Sequence, residues 1–306
     1  MPEKLFYIAE IGGGDGFMEK FRNLIATIEQ NHWHVYGLEI RKNGELLHVY
    51  GDTKDIRYPI YSATKSFVST AAGIAVREGK FSLRESVYDY LKSAVPVYAT
   101  EKQKETLKKL TVERLMTMSV KGYPFRPEGE DWLTYSLLYP LEDAETPEFN
   151  YSNIPAYLVG VALENAVGEH LVKYLTPRLF EPLEIKNPVY GNCPAGHFYG
   201  ASQMELTVEE LGRLGELYRK GGVWNGERIL TEEWVKEATS VKTPCREGGY
   251  GYFIWKYKDG FRITGKWGKR CFVFPKTGMT VTYLSDMQNN SEDLTEAVME
   301  CIGVTK

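Results

Sequence analysis

Residues 250–285 read YGYFIWKYKDGFRITGKWGKRCFVFPKTGMTVTYLS, short aromatic and β-branched runs punctuated by Gly and Pro. That pattern predicts an antiparallel meander, with strands over Tyr250–Tyr257, Phe261–Lys266, Arg270–Phe274 and Thr280–Ser285. Two further strand-like runs lie near the other end of the chain, His34–Arg41 and Glu45–Tyr50, joined through the hairpin pair Asn43-Gly44. A helix over Gly16–Gln30 precedes them, its apolar residues Phe17, Met18, Phe21, Leu24, Ile25 and Ile28 recurring at helical spacing. Ser291–Cys301 closes the chain as another helix.

Between the two ends the signals are mostly helical. The first such helix runs from about Ala63 to Glu78, with Ser62 at its N-cap and Gly79 as its stop. Thr111 is placed to cap a helix through Met118. Asn153–Ala166 ends near Gly168, and Thr207 with Glu210 forms a capping box ahead of Leu211, Leu214 and Leu217. Val95–Lys109 is expected to be the most mobile surface segment. The fold class that follows is α/β (α+β): one antiparallel sheet built from both chain ends, flanked by the terminal helices, with an all-helical domain inserted. The expected division is residues 1–79 plus 240–306 for the sheet domain and 80–239 for the helical one, with the active site in the cleft between.

Composition narrows the function classes. The 306 residues are 43% hydrophobic and 25% charged, the profile of an ordinary globular protein that needs no staple. Thirty-seven Lys+Arg against 41 Asp+Glu leave a net charge of −4, so there is no basic footprint for nucleic acid or anionic lipid. The cysteines Cys193, Cys245, Cys271 and Cys301 are scattered without a C-x-x-C. They read as reduced thiols, not as a disulfide framework or a zinc site. The start lacks a signal-peptide pattern and no run approaches eighteen apolar residues, so a cytoplasmic, non-spanning protein is expected. Oligomeric state is not legible.

Ser62-Ala-Thr-Lys65 is the first candidate for chemistry. A serine at a helix N-terminus has free backbone N–H groups beside its hydroxyl, and Lys65 lies one turn on along the same face. If that face is desolvated, the ammonium pKa falls and the amine can take the serine proton. The plainer alternative is a capping serine and a solvated lysine. Tyr151-Ser152-Asn153 is the second candidate, with a core ring and an N-cap as its plainer reading. Its setting distinguishes it: Phe149 before it, then Leu158-Val-Gly160, Gly168 and Phe180-Glu-Pro-Leu183.

S-x-x-K followed by Y-S-N across a helical insert resembles the serine β-lactamase and penicillin-binding protein superfamily. Y-S-N in place of S-D-N, with no E-x-x-L-N, resembles its class C-like branch of esterases, amidases and D-peptidases. The likeness covers nearly the whole chain. Leu115-Met-Thr-Met-Ser119 is similar to the family's L-L-T-H-T-S-G stretch. Gly200–Thr207, with Gly221–Gly226 and Leu230, resembles the 6-aminohexanoate-dimer hydrolase subgroup. The resemblance implies a serine hydrolase that works through an acyl-enzyme with no metal or organic cofactor. Ser62 would be the nucleophile, Lys65 and Tyr151 the proton-transfer unit, and Asn153 a substrate contact that steadies Lys65. A small ester, amide or β-lactam-like molecule would be the substrate. The alternatives are a D-peptidase or β-lactamase with carboxylate recognition, or a catalytically quiet binding or scaffold homologue.

The family's third motif, K-T-G or H-x-G, has three possible registers. Lys276-Thr-Gly278 follows Pro275 between two strands and reads as a hairpin turn. Lys266-Trp267-Gly268 keeps the lysine but puts an indole where a hydroxyl is expected. Counting back from Pro275 favours Ile263-Thr264-Gly265, with Gly268 as the second glycine. In that register Thr264, Gly265 and Trp267 would meet substrate, and the backbone N–H groups of Ser62 and Lys266 would hold the oxyanion. Ile263 would then replace the family's cation.

Other signals are weaker. His32-Trp-His34 lacks a third ligand for a metal. Gly12–Gly16 lacks the Lys-Ser/Thr of a phosphate loop and reads as a flexible turn. Trp132, Tyr135 and Tyr139 either overlook the cleft or form a packed cluster.

Overall fold

The computed structural model describes residues 15–304. Both chain ends feed one antiparallel sheet. Its strands are β1 (Val35–Lys42), β2 (Glu45–Gly51), β3 (Trp255–Tyr257), β4 (Gly260–Gly265), β5 (Lys269–Phe274) and β6 (Met279–Ser285). Their spatial order is β2-β1-β6-β5-β4-β3, so the N-terminal hairpin is hydrogen-bonded onto the last strand of the meander. Asn43 and Gly44 turn that hairpin with φ of 53° and 91°, the left-handed pair that two-residue hairpins need.

Helices α1 (Asp15–Gln30) and α5 (Ser291–Cys301) cover one face of the sheet. Phe21, Leu24 and Ile28 meet Leu38, Ile40, Phe272, Val281 and Val298 there, all of them buried. The other face receives α4 (Val208–Arg219), whose Thr207–Glu210 capping box is formed. Gly215 makes that close approach possible: a Cβ there would stand 2.4 Å from Cys271 Sγ. Behind α4 lie α2 (Lys65–Arg77) and α3 (Ile154–Val167), both buried along most of their length, as helices apolar on nearly every side must be. The apolar core runs without a break from α2 and α3 through α4 to the inner face of the sheet. α3 ends at Gly168 in the left-handed conformation, where the sequence placed its stop.

Several expectations need correction. Within Val95–Lys109 a helix was not foreseen: Glu101–Lys109 is helical, capped by a reciprocal Thr100–Gln103 box. It has a single buried side chain, Leu107, so no apolar face announces it. The segment from Tyr250 is strand only over its last three residues, because Phe253 is left-handed at φ 56° and breaks the extended backbone ahead of them. The helix capped by Thr111 stops at Met116, and Met118 is left-handed. β4 ends at Gly265, which puts Lys266 in the turn and not in the strand. The Gly12–Gly14 part of the glycine-rich stretch lies outside the described residues, and Gly16 sits in the first turn of α1. Among the described residues, no helix is long and apolar enough to cross a membrane.

Candidate active site

Tyr61 takes φ of 48°, a left-handed value unusual for a side-chain-bearing residue, and turns the chain into a short 3-10 helix over Tyr61–Thr64. α2 follows directly at Lys65. Ser62 therefore lies within the 3-10 turn and makes no capping hydrogen bond, contrary to the N-cap expectation. Its hydroxyl faces Lys65 instead, with Nζ 3.2 Å from Oγ.

The Lys65 ammonium is 1% exposed and has no carboxylate partner. It donates to Asn153 Oδ1 at 2.7 Å and to the Ala201 carbonyl at 2.9 Å, and lies 5.0 Å from the Tyr151 ring centroid. Burial without a counter-charge lowers its pKa to about 7. Tyr151 lines the cleft beside Ser62, and its ring stacks on Trp255 with centroids 5.4 Å apart. Burial raises the Tyr151 phenol to about 12 against a lowering influence of Ser62, so near neutrality it carries its proton. Asn153 precedes α3, but its side chain does not cap the helix. Ser152 takes part of that role, its Oγ accepting the Ile154 N–H at 3.1 Å, which leaves Asn153 for Lys65.

A cleft of about 370 Å³ opens over these groups, and its walls include Ser62, Tyr151, Asn153, Thr264, Gly265 and Lys266. The structure thus brings Ser62, Lys65, Tyr151 and Asn153 together with the end of β4. Trp267 does not line this cleft: it is left-handed in the turn, and its ring stands edge-on to Tyr61. Ile263 is fully buried and also absent from the wall. Gly265 is required by the protein itself, since a Cβ there would fall 2.0 Å from the Ile60 carbonyl oxygen. The turn after it is held by Ser285 Oγ, which donates to the Trp267 and Gly268 carbonyls at 3.1 and 2.9 Å. Lys276-Thr-Gly278 forms the β5–β6 turn, with Gly278 at φ 71°, and is no part of the cleft.

Because Gly265 fits so closely under Ile60, Gly265→Ala is expected to cost about 1–3 kcal/mol of stability by overpacking and to displace the Lys266 N–H. A thermal melt and a rate assay on the same sample check this. A variant with unchanged melting temperature and rate would contradict it.

The sequence reading missed several members of the wall: Tyr61, Phe125, Ser202, Trp255 and Arg270. Arg270 stands opposite Thr264 in the β4–β5 ladder and is 6% exposed. Its terminal nitrogens donate to the Gly265 carbonyl at 2.5 Å and to Glu292 at 3.1 Å. Thr264 Oγ1 and Arg270 Nε are buried without a hydrogen-bond partner. Of the aromatic trio, Trp132 faces a neighbouring lobe and packs on Tyr199 at 5.0 Å, while Tyr135 and Tyr139 pack on each other. The four cysteines are unpaired. His34 packs edge-on to Tyr36, and among the described residues no cluster of His, Cys, Asp and Glu could hold a metal ion.

The beta-lactamase family model matches residues 28–299. A 6-aminohexanoate-dimer hydrolase of Paenarthrobacter ureafaciens is 23% identical over 215 residues, 64% of this chain. The match spans 55% of that relative, so about half of its length is represented here. Among solved structures, a penicillin-binding protein from Bacillus halodurans superposes with a TM-score of 0.71 at 15% identity, covering 90% of this chain and 99% of that one. A penicillin-binding protein homologue from Caulobacter crescentus gives 0.70 at 17% identity, covering 96% and 100% of the two chains. At these identities the two structures speak to the fold alone.

Proposed function

The chain belongs to the beta-lactamase family, and from that membership and the geometry of its cleft we propose a serine hydrolase that acts on small esters or amides through an acyl-enzyme. The observation that carries this reading is the buried, unpaired Lys65 within hydrogen-bond reach of Ser62. An ammonium hidden without a carboxylate costs stability, and acid–base work at Ser62 is a reason to keep it there.

In this reading neutral Lys65 accepts the Ser62 proton as Oγ attacks the carbonyl carbon. The N–H groups of Ser62 and Lys266 receive the developing oxyanion, and losing one such donor typically costs about a hundred- to a thousandfold in rate. Tyr151, protonated, passes a proton to the leaving group and is reprotonated from Lys65, and the same unit then takes a proton from the water that attacks the ester and returns it to Ser62 Oγ as the acid leaves. Asn153 orients Lys65. No metal or organic cofactor enters the scheme, and the working location is proposed as the cytoplasm. The helical stretch 80–239 is proposed to form the cleft's second wall.

Two pH consequences follow. kcat/KM for a neutral ester is expected to rise through about pH 7 as the Lys65–Tyr151 unit loses a proton, then to stay level to about pH 10. A profile flat from pH 5 to 9 would remove Lys65 from its role. The folded state holds the Lys65 pKa below that of the unfolded chain, so the burial penalty is full below about pH 7 and shrinks above it. Wild type should therefore gain stability relative to Lys65→Met between pH 7 and 10. Parallel denaturation curves across that range would contradict the assignment.

A second reading, carboxylate recognition beside the scissile bond as in a D-peptidase or β-lactamase, draws support from Arg270 next to Thr264. We favour neutral groups at this wall, because the Arg270 amino groups are already engaged and Ile263 carries no charge. The test compares kcat/KM for matched neutral and carboxylate-bearing esters, cephalosporins and D-Ala-D-Ala peptides, in wild type and Lys266→Ala. A strong preference for the anionic ester that vanishes in Lys266→Ala would return the protein to the peptidase side.

A further inference from the structure

Beside the lobe over Ser62 lies a second one of about 690 Å³, and the two share Phe125, Asn153 and Ser202 in their walls. Trp132 and Tyr199 make its apolar side, their rings edge-on with centroids 5.0 Å apart. Asn153 borders this wall beside Tyr199 and holds Lys65 at 2.7 Å, which ties the lobe to Lys65. Gln203 borders the lobe in a left-handed conformation with φ of 72°. Backbone strain of this kind persists where the surrounding fold imposes it, and it recurs at ligand sites.

Two charged side chains border the lobe, Arg126 and Glu128. The Tyr199 phenol, raised chiefly by burial, is held back by Asn153 beside it and by the positive charge of Arg126. Burial chiefly, and the Glu128 charge after it, raise the Tyr135 phenol, which is not part of this wall. Among the described residues, none gives the Arg126 guanidinium a hydrogen bond or an ion pair. The second lobe thus has an aromatic wall near Asn153 and an unengaged cation at its rim. Tyr151, the proposed donor to the leaving group, is not part of it, whereas Asn153 is.

We propose that this lobe is an acyl-chain subsite in which Arg126 selects substrates whose acyl group is an extended apolar chain ending in a carboxylate. The inference rests on the serine hydrolase reading. It differs from carboxylate recognition at β4: the anion here sits at the far end of the chain and not beside the scissile bond. A guanidinium–carboxylate contact with the apolar stem laid along Trp132 and Tyr199 gives both charge pairing and buried area.

The test uses mono-p-nitrophenyl esters of linear diacids from adipate to sebacate, each against the methyl-ended ester of equal chain length. In wild type the best diacid ester should exceed its methyl-ended match in kcat/KM by about tenfold or more, mainly through KM, with the ratio falling as salt rises. The ratio should drop to one or below in Arg126→Gln and be partly kept in Arg126→Lys. Arg126 is exposed, so the variants are expected to fold, and a melting curve verifies it. Equal ratios in wild type and Arg126→Gln would overturn the subsite while leaving the hydrolase intact. So would an Arg126-dependent preference for a carboxylate on the leaving group, or a Glu128-dependent preference for amine-ended chains. A wild type that turns over no ester in either series would overturn the hydrolase reading and the subsite with it.

Discussion

Ser62→Ala is expected to lower ester turnover by about a thousandfold or more, to the background rate, because in the proposed scheme Ser62 Oγ carries the acyl group. The fold should not notice. The Ser62 hydroxyl caps no helix, and Lys65 keeps its bonds to Asn153 and Ala201 when Oγ is removed. One hydrogen bond of this kind is worth about 1 kcal/mol, a shift of roughly 2–4 °C or less in a domain this large. Rate and melting temperature measured on the same preparation separate the two effects. Retained turnover would mean that another nucleophile does the work, and collapse of the fold would mean that Ser62 is structural.

Tyr151→Phe removes one oxygen and keeps the ring that stacks on Trp255 and stands edge-on to Tyr250. Turnover should fall by about a hundredfold to ten-thousandfold, the usual range for a positioned proton donor, with little change in melting temperature. The loss should be largest for substrates with poor leaving groups, since an activated aryl leaving group needs less protonation. Equal losses for p-nitrophenyl and alkyl esters would assign Tyr151 to ground-state positioning. No loss at all would make its ring merely a packing element.

Strand periodicity was legible wherever a run alternates or is wholly apolar, as in β5 and β6, because burial on both faces leaves few residue types admissible. The hairpin at Asn43-Gly44 was legible because two successive left-handed residues admit few sequences. The Glu101–Lys109 helix was not, since it rests on its caps and on Leu107 alone; the Thr100 to Gln103 spacing was the available signal. Ser62 was read as a cap because an ordinary helix start was assumed, whereas the left-handed Tyr61 tightens the chain into a 3-10 turn. Ser62, Lys65, Tyr151 and Asn153 could be found from two short motifs. Arg270 and Arg126 could not. One reaches the cleft through strand pairing opposite Thr264, the other through a loop bonded to Asn153 by the Phe125 carbonyl. Long-range pairings of this sort leave no local pattern. Trp267 shows the converse: its place beside the motif in sequence does not make it a wall of the cleft, because the turn directs it toward Tyr61.

The account turns on a covalent bond to one oxygen, and intact-mass spectrometry of the wild-type protein quenched with a slowly released ester, followed by peptide mapping, measures it most directly. The predicted result is a single acyl equivalent on Ser62 that forms and decays at the rate of turnover and is absent from Ser62→Ala. Turnover with no adduct, or an adduct on any other residue, would contradict it.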